Sequence, residues 1–264
     1  MPLRSLHFLA ALLVLVAIAT HAQPRSVRLE DFTSTELADA IARGSTTILV
    51  PIGGTEQNGA HIALGKHNRR VEVLAHKIAG VLGNVLVAPV IAYVPEGSID
   101  PPSAHMRYPG TISVPSDVFM RTLEAAANSL RRHGFRDIVL LGDHGGYQSD
   151  LASTAARVNA SWSRSPARVH ALVDYYRTSD AAFRELLSKR GFRSDEIGRH
   201  AGLADTSLTL AVDASLVRLE RLRDAKHPGV NGDPSRASSE LGQAGVDLIV
   251  SRSADAIRAL VARR

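Results

Sequence analysis

The 264-residue chain contains no cysteine. That absence excludes a disulfide scaffold, a Cys-ligated zinc or iron–sulfur site and a thiol nucleophile. No G-x-S-x-G elbow is present to present a hydrolytic serine, and no Walker A pattern is present to cradle a nucleotide. Lys and Arg are scattered, which gives nucleic acid no binding stripe. Internal repeats, low-complexity tracts and long Pro/Ser linkers are all missing. The charge excess is small, 31 basic against 26 acidic residues, and amounts to a weak hint of anionic partners. What remains is a chain that is 45% hydrophobic and 22% charged, long enough for a large core and too apolar for disorder.

The one long apolar run is at the start. Arg4 is followed by twelve apolar residues, Phe8 to Ala19, and then by Thr20-His21-Ala22. A positive lead, an apolar core and a small-residue exit are expected to form a signal peptide over residues 1–22, cleaved near Ala22. Twelve residues fall short of the about 20 that span a bilayer. The expectation is an exported, periplasmic or secreted protein, free of the membrane after cleavage, with residues 23–264 forming a single domain.

Beyond that point, β-rich runs alternate with helical patterns. Thr46–Ile52, Val85–Val94 (with a break or bend at Pro89), Asp137–Leu141 and Arg168–Val173 read as strands. Asn68–Val81, Ser116–His133 with Ser116 as N-cap, a stretch from Gly146 to about Trp162, Ala181–Lys189, Ala204–Val212 and a broken Ser238–Val261 read as helices. Such alternation predicts an α/β fold with a mostly parallel sheet covered on both faces. Ligands then sit beyond the carboxyl ends of the strands.

The richest polar stretches lie at those ends. They are Gly53-Gly54-Thr55-Glu56-Gln57-Asn58-Gly59-Ala60-His61, continuing to Lys66-His67, then Gly142-Asp143-His144-Gly145-Gly146-Tyr147-Gln148, and His200-Ala201-Gly202-Leu203-Ala204-Asp205-Thr206-Ser207. Imidazoles and carboxylates on sheet-edge loops are the donor set of zinc, manganese or iron.

These stretches resemble the creatininase (creatinine amidohydrolase) family. The family's P-V-G-S-T-E-Q-H-G-P-H-L-P-L-G-T-D is matched by Pro51 through His67, and its N-G-H-G-G-N by Leu141 through Tyr147 with an altered start. Its H-x-x-F-P-G-T-I-S is matched by His105 through Ser113, and its H-A-G-x-x-E-T-S by His200 through Ser207. Gly229 through Pro234 also looks familial. The resemblance implies a three-layer α/β/α sandwich, metal-dependent hydrolysis of a C–N bond in a cyclic or linear amide, and a homo-oligomer. The mechanism it implies is a water acidified by a metal and attacking a polarised carbonyl.

The family's ligands carry over unevenly. The family Glu is Glu56 and the second-motif His is His144. Asn58 stands where the family has its first His, His67 where it has the Asp that bridges two ions, and Asp205 where it has a later Glu. A His does not bridge two ions as a carboxylate does. The expected set is therefore Glu56, His67, His144 and Asp205 around one divalent ion, zinc or manganese, in preference to two. His61, Asp143 and Asn58 are further candidates as ligands or supports. His200 falls at the family's catalytic His and is either an acid/base or a helix-start residue. His105, Tyr147 and Gln148 either touch substrate or pack locally. Two alternatives stay open: a creatininase-like binding protein or pseudoenzyme, and a hydrolase of a lactone, formamide or peptide bond.

Overall fold

The computed structural model describes residues 26–224 and 227–262; the expected signal peptide lies outside them. Strands β1 (Thr47–Ile52), β2 (Val85–Val87), β3 (Asp137–Gly142) and β4 (Arg168–Ala171) make one sheet in the order β2-β1-β3-β4, each neighbouring pair parallel. Parallel neighbours need crossovers. These are α2 (Lys66–Leu82), α3 (Ser116–Arg132) and α4 (Gln148–Ser161), preceded by α1 (Ser34–Ala42). The chain continues through α5 (Val173–Arg177), α6 (Phe183–Lys189), α7 (Ser194–Ile197), α8 (Leu203–Val212) and α9 (Ser239–Val261).

The period-two alternation of the strands sorts the core into two halves. Ile48, Val50 and Ile52 of β1 and Ile138 and Leu140 of β3 meet Phe119 and Leu123 of α3 and Leu151 and Val158 of α4. On the other face Leu49, Val139 and Leu141 meet Val71, Leu74 and Ile78 of α2, Leu208 of α8 and Ile249 and Ile257 of α9. The result is the expected three-layer α/β/α sandwich. Each fully buried Leu or Ile contributes about 1.5–3 kcal/mol, so the two half-cores fix the sheet firmly.

Four expectations about elements change. The Val85–Val94 strand stops at Val87, because Pro89 has no N–H to give a ladder; the chain runs on irregularly, with a parallel bridge from Ile91 to Ile52. The last strand ends at Ala171 since Val173 opens α5. Pro115, not Ser116, stands at the N-cap of α3. The helix expected to break after Ser238 is continuous over Ser239–Val261. Its Gly242 and Gly245 are the points where it closes on Ser207 and Ala211, and on Leu208 and Phe183. No described helix is long and apolar enough to cross a membrane.

Candidate active site

β1 and β3 end level, with Ile52 paired to Gly142, so the loops that follow them leave the sheet side by side. Tyr147 locks these loops together. Its buried hydroxyl lies 2.8 Å from Ile52 O and 2.6 Å from Gly53 O, and accepts from the amides of Asp143 and His144 at 3.1 Å each. Gln148 Nε2 donates to the carbonyls of Gly142 and His144 at 3.0 and 2.8 Å. Of the two roles open to these residues the geometry favours local bracing: backbone groups already engage the Tyr147 hydroxyl and the Gln148 amide nitrogen.

Glu56 is the hub, with no solvent exposure. Its Oε1 takes His67 Nε2 at 2.7 Å, with Lys66 Nζ at 3.5 Å and His200 Nδ1 at 3.6 Å. Its Oε2 has His105 Nε2 at 3.0 Å and His144 Nε2 at 3.6 Å, yet makes no hydrogen bond. Burial alone would raise this carboxyl. The charges of Lys66 and His67 and the hydrogen bond from His67 outweigh it and hold Glu56 well below its ordinary 4.5.

Behind the imidazoles stand further carboxylates. His67 Nδ1 lies 2.6 Å from Asp143 Oδ2. Burial and Lys66 oppose a charge on His67, but Glu56 and Asp143 raise its pKa above 6.5. His144 Nδ1 lies 3.4 Å from Glu96 Oε2, and burial pushes its pKa down to about 3. The sequence reading missed Glu96. It is buried, neither of its oxygens makes a hydrogen bond, and burial and the Glu56 charge push its pKa up to about 8. A signal existed, because Glu96 is the lone carboxylate at the end of the apolar Val85–Val94 run. Gly54 makes room for it, since a Cβ there would run into Glu96 Oε1.

Gln57 sets the two remaining rings. Its side-chain amide is anchored at both ends: Oε1 accepts from Gly59 N at 3.0 Å and Nε2 donates to Gly229 O at 2.8 Å. Nε2 also stands 3.1 Å from His105 Nδ1, which leaves the His105 proton on Nε2, not aligned for a hydrogen bond to the nearby Glu56 Oε2. His200 Nε2 lies 2.9 Å from Gln57 O and 3.2 Å from Gln57 Nε2. The two hydrogens of that amide are taken by Gly229 O and His105 Nδ1, so the tautomer that fits has His200 Nε2–H donating to the carbonyl and Nδ1 bare. The Gly229–Pro234 segment serves this arrangement, because Asn231 exchanges backbone hydrogen bonds with His200. Burial lowers the pKa of His105 and takes that of His200 down to about 4.

Asp205 does not join the donors around Glu56. Its carboxylate is already held by Lys66 Nζ at 2.7 Å, Arg70 Nη1 at 2.8 Å and Ala201 N at 2.8 Å. Asp143 supports His67 and is itself held by Arg70 Nε at 2.8 Å and Tyr175 Oη at 2.7 Å. Asn58 is buried and donates to Glu56 O and Ala63 O, shaping the loop. His61 is buried away from Glu56, with Nε2 on Ala201 O at 2.9 Å. Two three-residue donor groups remain, Glu56/His67/His144 and Glu56/His105/His200, sharing Glu56. A cavity of about 190 Å³ opens onto them, lined by His105, His144 and His200 and, further out, Tyr176, Arg184 and Arg199.

Comparison with known proteins gives the family and the fold. The model of the creatininase family, described as creatinine amidohydrolase, matches residues 30–257. The chain belongs to the creatininase family. Creatinine amidohydrolase of Pseudomonas putida is 26% identical over 257 residues, covering 89% of this chain and 97% of that one. The mycofactocin precursor peptide peptidase of Mycolicibacterium smegmatis is 31% identical over 114 residues, 41% of this chain and 43% of that one. Solved creatininases overlay closely. A manganese form has a TM-score of 0.75 at 26% identity, and a variant of Zn-Zn type 0.74 at 25%; each comparison covers 89% of this chain and 98% of the other. The relatives named in this way are hydrolases, and this chain is a hydrolase of that superfamily.

Proposed function

We propose that this chain is an exported, homo-oligomeric hydrolase that cleaves a C–N bond in a small amide, using one divalent ion, zinc or manganese. The carrying observation is the Glu56/His67/His144 group, in which a buried carboxylate faces two imidazoles and a second carboxylate backs each ring. In histidines that hold metals one nitrogen takes the ion and the other turns to a carboxylate, as His67 Nδ1 does to Asp143; His144 Nδ1 stands 3.4 Å from Glu96 Oε2 and accepts from Gly146 N at 3.2 Å. The unbonded Glu56 Oε2 is a further mark of fit. An ion held there would supply Lewis acidity for the scissile carbonyl and for a water.

The chain's own residues divide the remaining work. His200, neutral at pH 7 and bare at Nδ1, takes a proton from the water and returns it to the leaving nitrogen, a role worth roughly 10²–10⁴-fold. His105 offers its Nε2–H to the carbonyl oxygen. The 190 Å³ cavity lies below the roughly 300 Å³ at which drug-sized pockets begin and suits a compact substrate. The second reading, a binding module without catalysis, draws support from Lys66 and Arg70, which occupy part of the carboxylate cluster.

Elemental analysis of purified protein, alongside His67→Ala and His144→Ala, tests the ion. One zinc or manganese per chain, lost in both variants, is expected; metal-free protein after growth with both ions would sink the proposal. Assay on cyclic amides, linear amides, short peptides, lactones and formamides then tests the reaction. Metal-loaded protein inactive on all of them would favour the binding module.

A further inference from the structure

Lys66 is a lysine in an unusual place. Its side chain has no exposure, and its ammonium stands between two carboxylates, 2.7 Å from Asp205 Oδ2 and 3.5 Å from Glu56 Oε1. Burying a charge is costly unless it is paired. Here each partner is itself an acid held well below its usual range, with Lys66 the largest charge doing so in both cases. Arg70 extends the pattern, bridging Asp205 and Asp143 from the next turn of α2. Both cations project from α2, whose opening residues are Lys66 and His67.

We infer that the Lys66 ammonium is a resident cation occupying the position a second divalent ion would take between Glu56 and Asp205. Removing it turns that position into a cation site. The donors lining the place are Glu56 Oε1 and Asp205 Oδ2, and the bare His200 Nδ1 stands 3.6 Å from Glu56 Oε1. Two carboxylates and an imidazole are a hard-to-borderline set suited to manganese or zinc. With Lys66 in place a divalent ion would meet a like charge within contact distance. A related creatininase variant has been solved in a Zn-Zn form; in this chain the place between Glu56 and Asp205 is filled by a covalently attached cation. The inference builds on the one-ion reading above, but it concerns only the difference that Lys66 makes.

Three forms of the full mature chain decide it: wild type, Lys66→Met, which keeps length without charge, and Lys66→Met/Asp205→Asn. Each is stripped with chelator and titrated with manganese chloride, and bound ions per chain are counted by calorimetry and elemental analysis. Lys66→Met is expected to bind one ion more than wild type, and the double variant to return to the wild-type count. The melting temperature of Lys66→Met should fall in chelator and recover with manganese, a response wild type lacks at that position. A variant that folds only with manganese supports the inference. One that stays unfolded with and without the ion overturns it, because the ion should supply the missing charge. Two ions in wild type, or equal counts in wild type and Lys66→Met, also overturn it. Wild type with none and Lys66→Met with one would keep this inference and defeat the one-ion reading; one ion in each would do the reverse.

Discussion

Tyr147→Phe isolates a single oxygen. The ring is fully buried against Phe119, with centroids 5.3 Å apart, and the substitution keeps that packing. What is lost is the hydroxyl that ties the end of β1 to the loop after β3. Asp143 N retains its bond to Ile52 O at 3.0 Å. The His144 amide and the Gly53 carbonyl are left without the hydroxyl. A buried orphaned donor costs about 1–3 kcal/mol, and an ordinary lost hydrogen bond about 1 kcal/mol. The expected loss is therefore about 2–4 kcal/mol, a large share of the roughly 5–15 kcal/mol that stabilises a domain. Urea unfolding should show a lower midpoint with unchanged slope. Because His144 and Asp143 are the residues the hydroxyl positions, metal affinity should weaken in parallel, by about 10–100-fold for loss of such support. A loss under about 1 kcal/mol with unaltered metal affinity would refute the bracing role.

Arg70→Met should cost about 3–5 kcal/mol by leaving Asp143 and Asp205 buried and short of a partner; a denaturation midpoint near wild type would contradict the pairing. In chelator-treated protein, stability should fall as pH drops from 6.5 toward 4. The unfolded state protonates its imidazoles near 6.5, whereas burial keeps folded His144 neutral to about 3 and folded His200 to about 4. At these two groups the unfolded state then binds more protons, a slope of up to about 2.7 kcal/mol per pH unit. Glu96, with its pKa at about 8, is protonated only in the folded state over most of this window. It opposes them by about 1.4 kcal/mol per pH unit, so a net fall of about 1.4 kcal/mol per pH unit is expected. His67, raised above 6.5 by Glu56 and Asp143, has the opposite sign and adds stability as pH falls through 6.5. Urea midpoints against pH for wild type and His144→Gln test this, and a flat wild-type curve would contradict it. Gly242→Ala should destabilise by about 1–3 kcal/mol despite the better helix propensity of Ala, because the new methyl meets the Ser207 carbonyl and Ala211 across the α8–α9 contact. An unchanged or raised melting temperature would show that the two helices can part without cost.

The strands with clear apolar runs and the helices with strict spacing were readable because their periodicity is a local property. β1 and β3 are built on the apolar runs Ile48–Ile52 and Ile138–Leu141, and α2 places Val71, Leu74 and Ile78 on one face. The sites of error were places where a distant partner decides. The chain after Val87 leaves the sheet at Pro89 yet still delivers Glu96 to His144. The helix expected to be broken within Ser238–Val261 runs on as α9, whose glycines are contacts against α8 and Phe183.

The sequence by itself determined the layered α/β architecture, the family motifs and the gathering of Glu56, His67 and His144, since residues at the ends of adjacent parallel strands must emerge together. It also placed Asp205 within reach of this cluster. What only the tertiary structure decided is how the charges pair. Asp205 is taken up by Lys66 and Arg70, Tyr147 turns to the backbone, and Glu96 comes to stand behind His144. Electrostatic pairing depends on distances of a few ångströms between residues far apart in the chain, 139 positions for Lys66 and Asp205, and spacing along the chain carries no information about that.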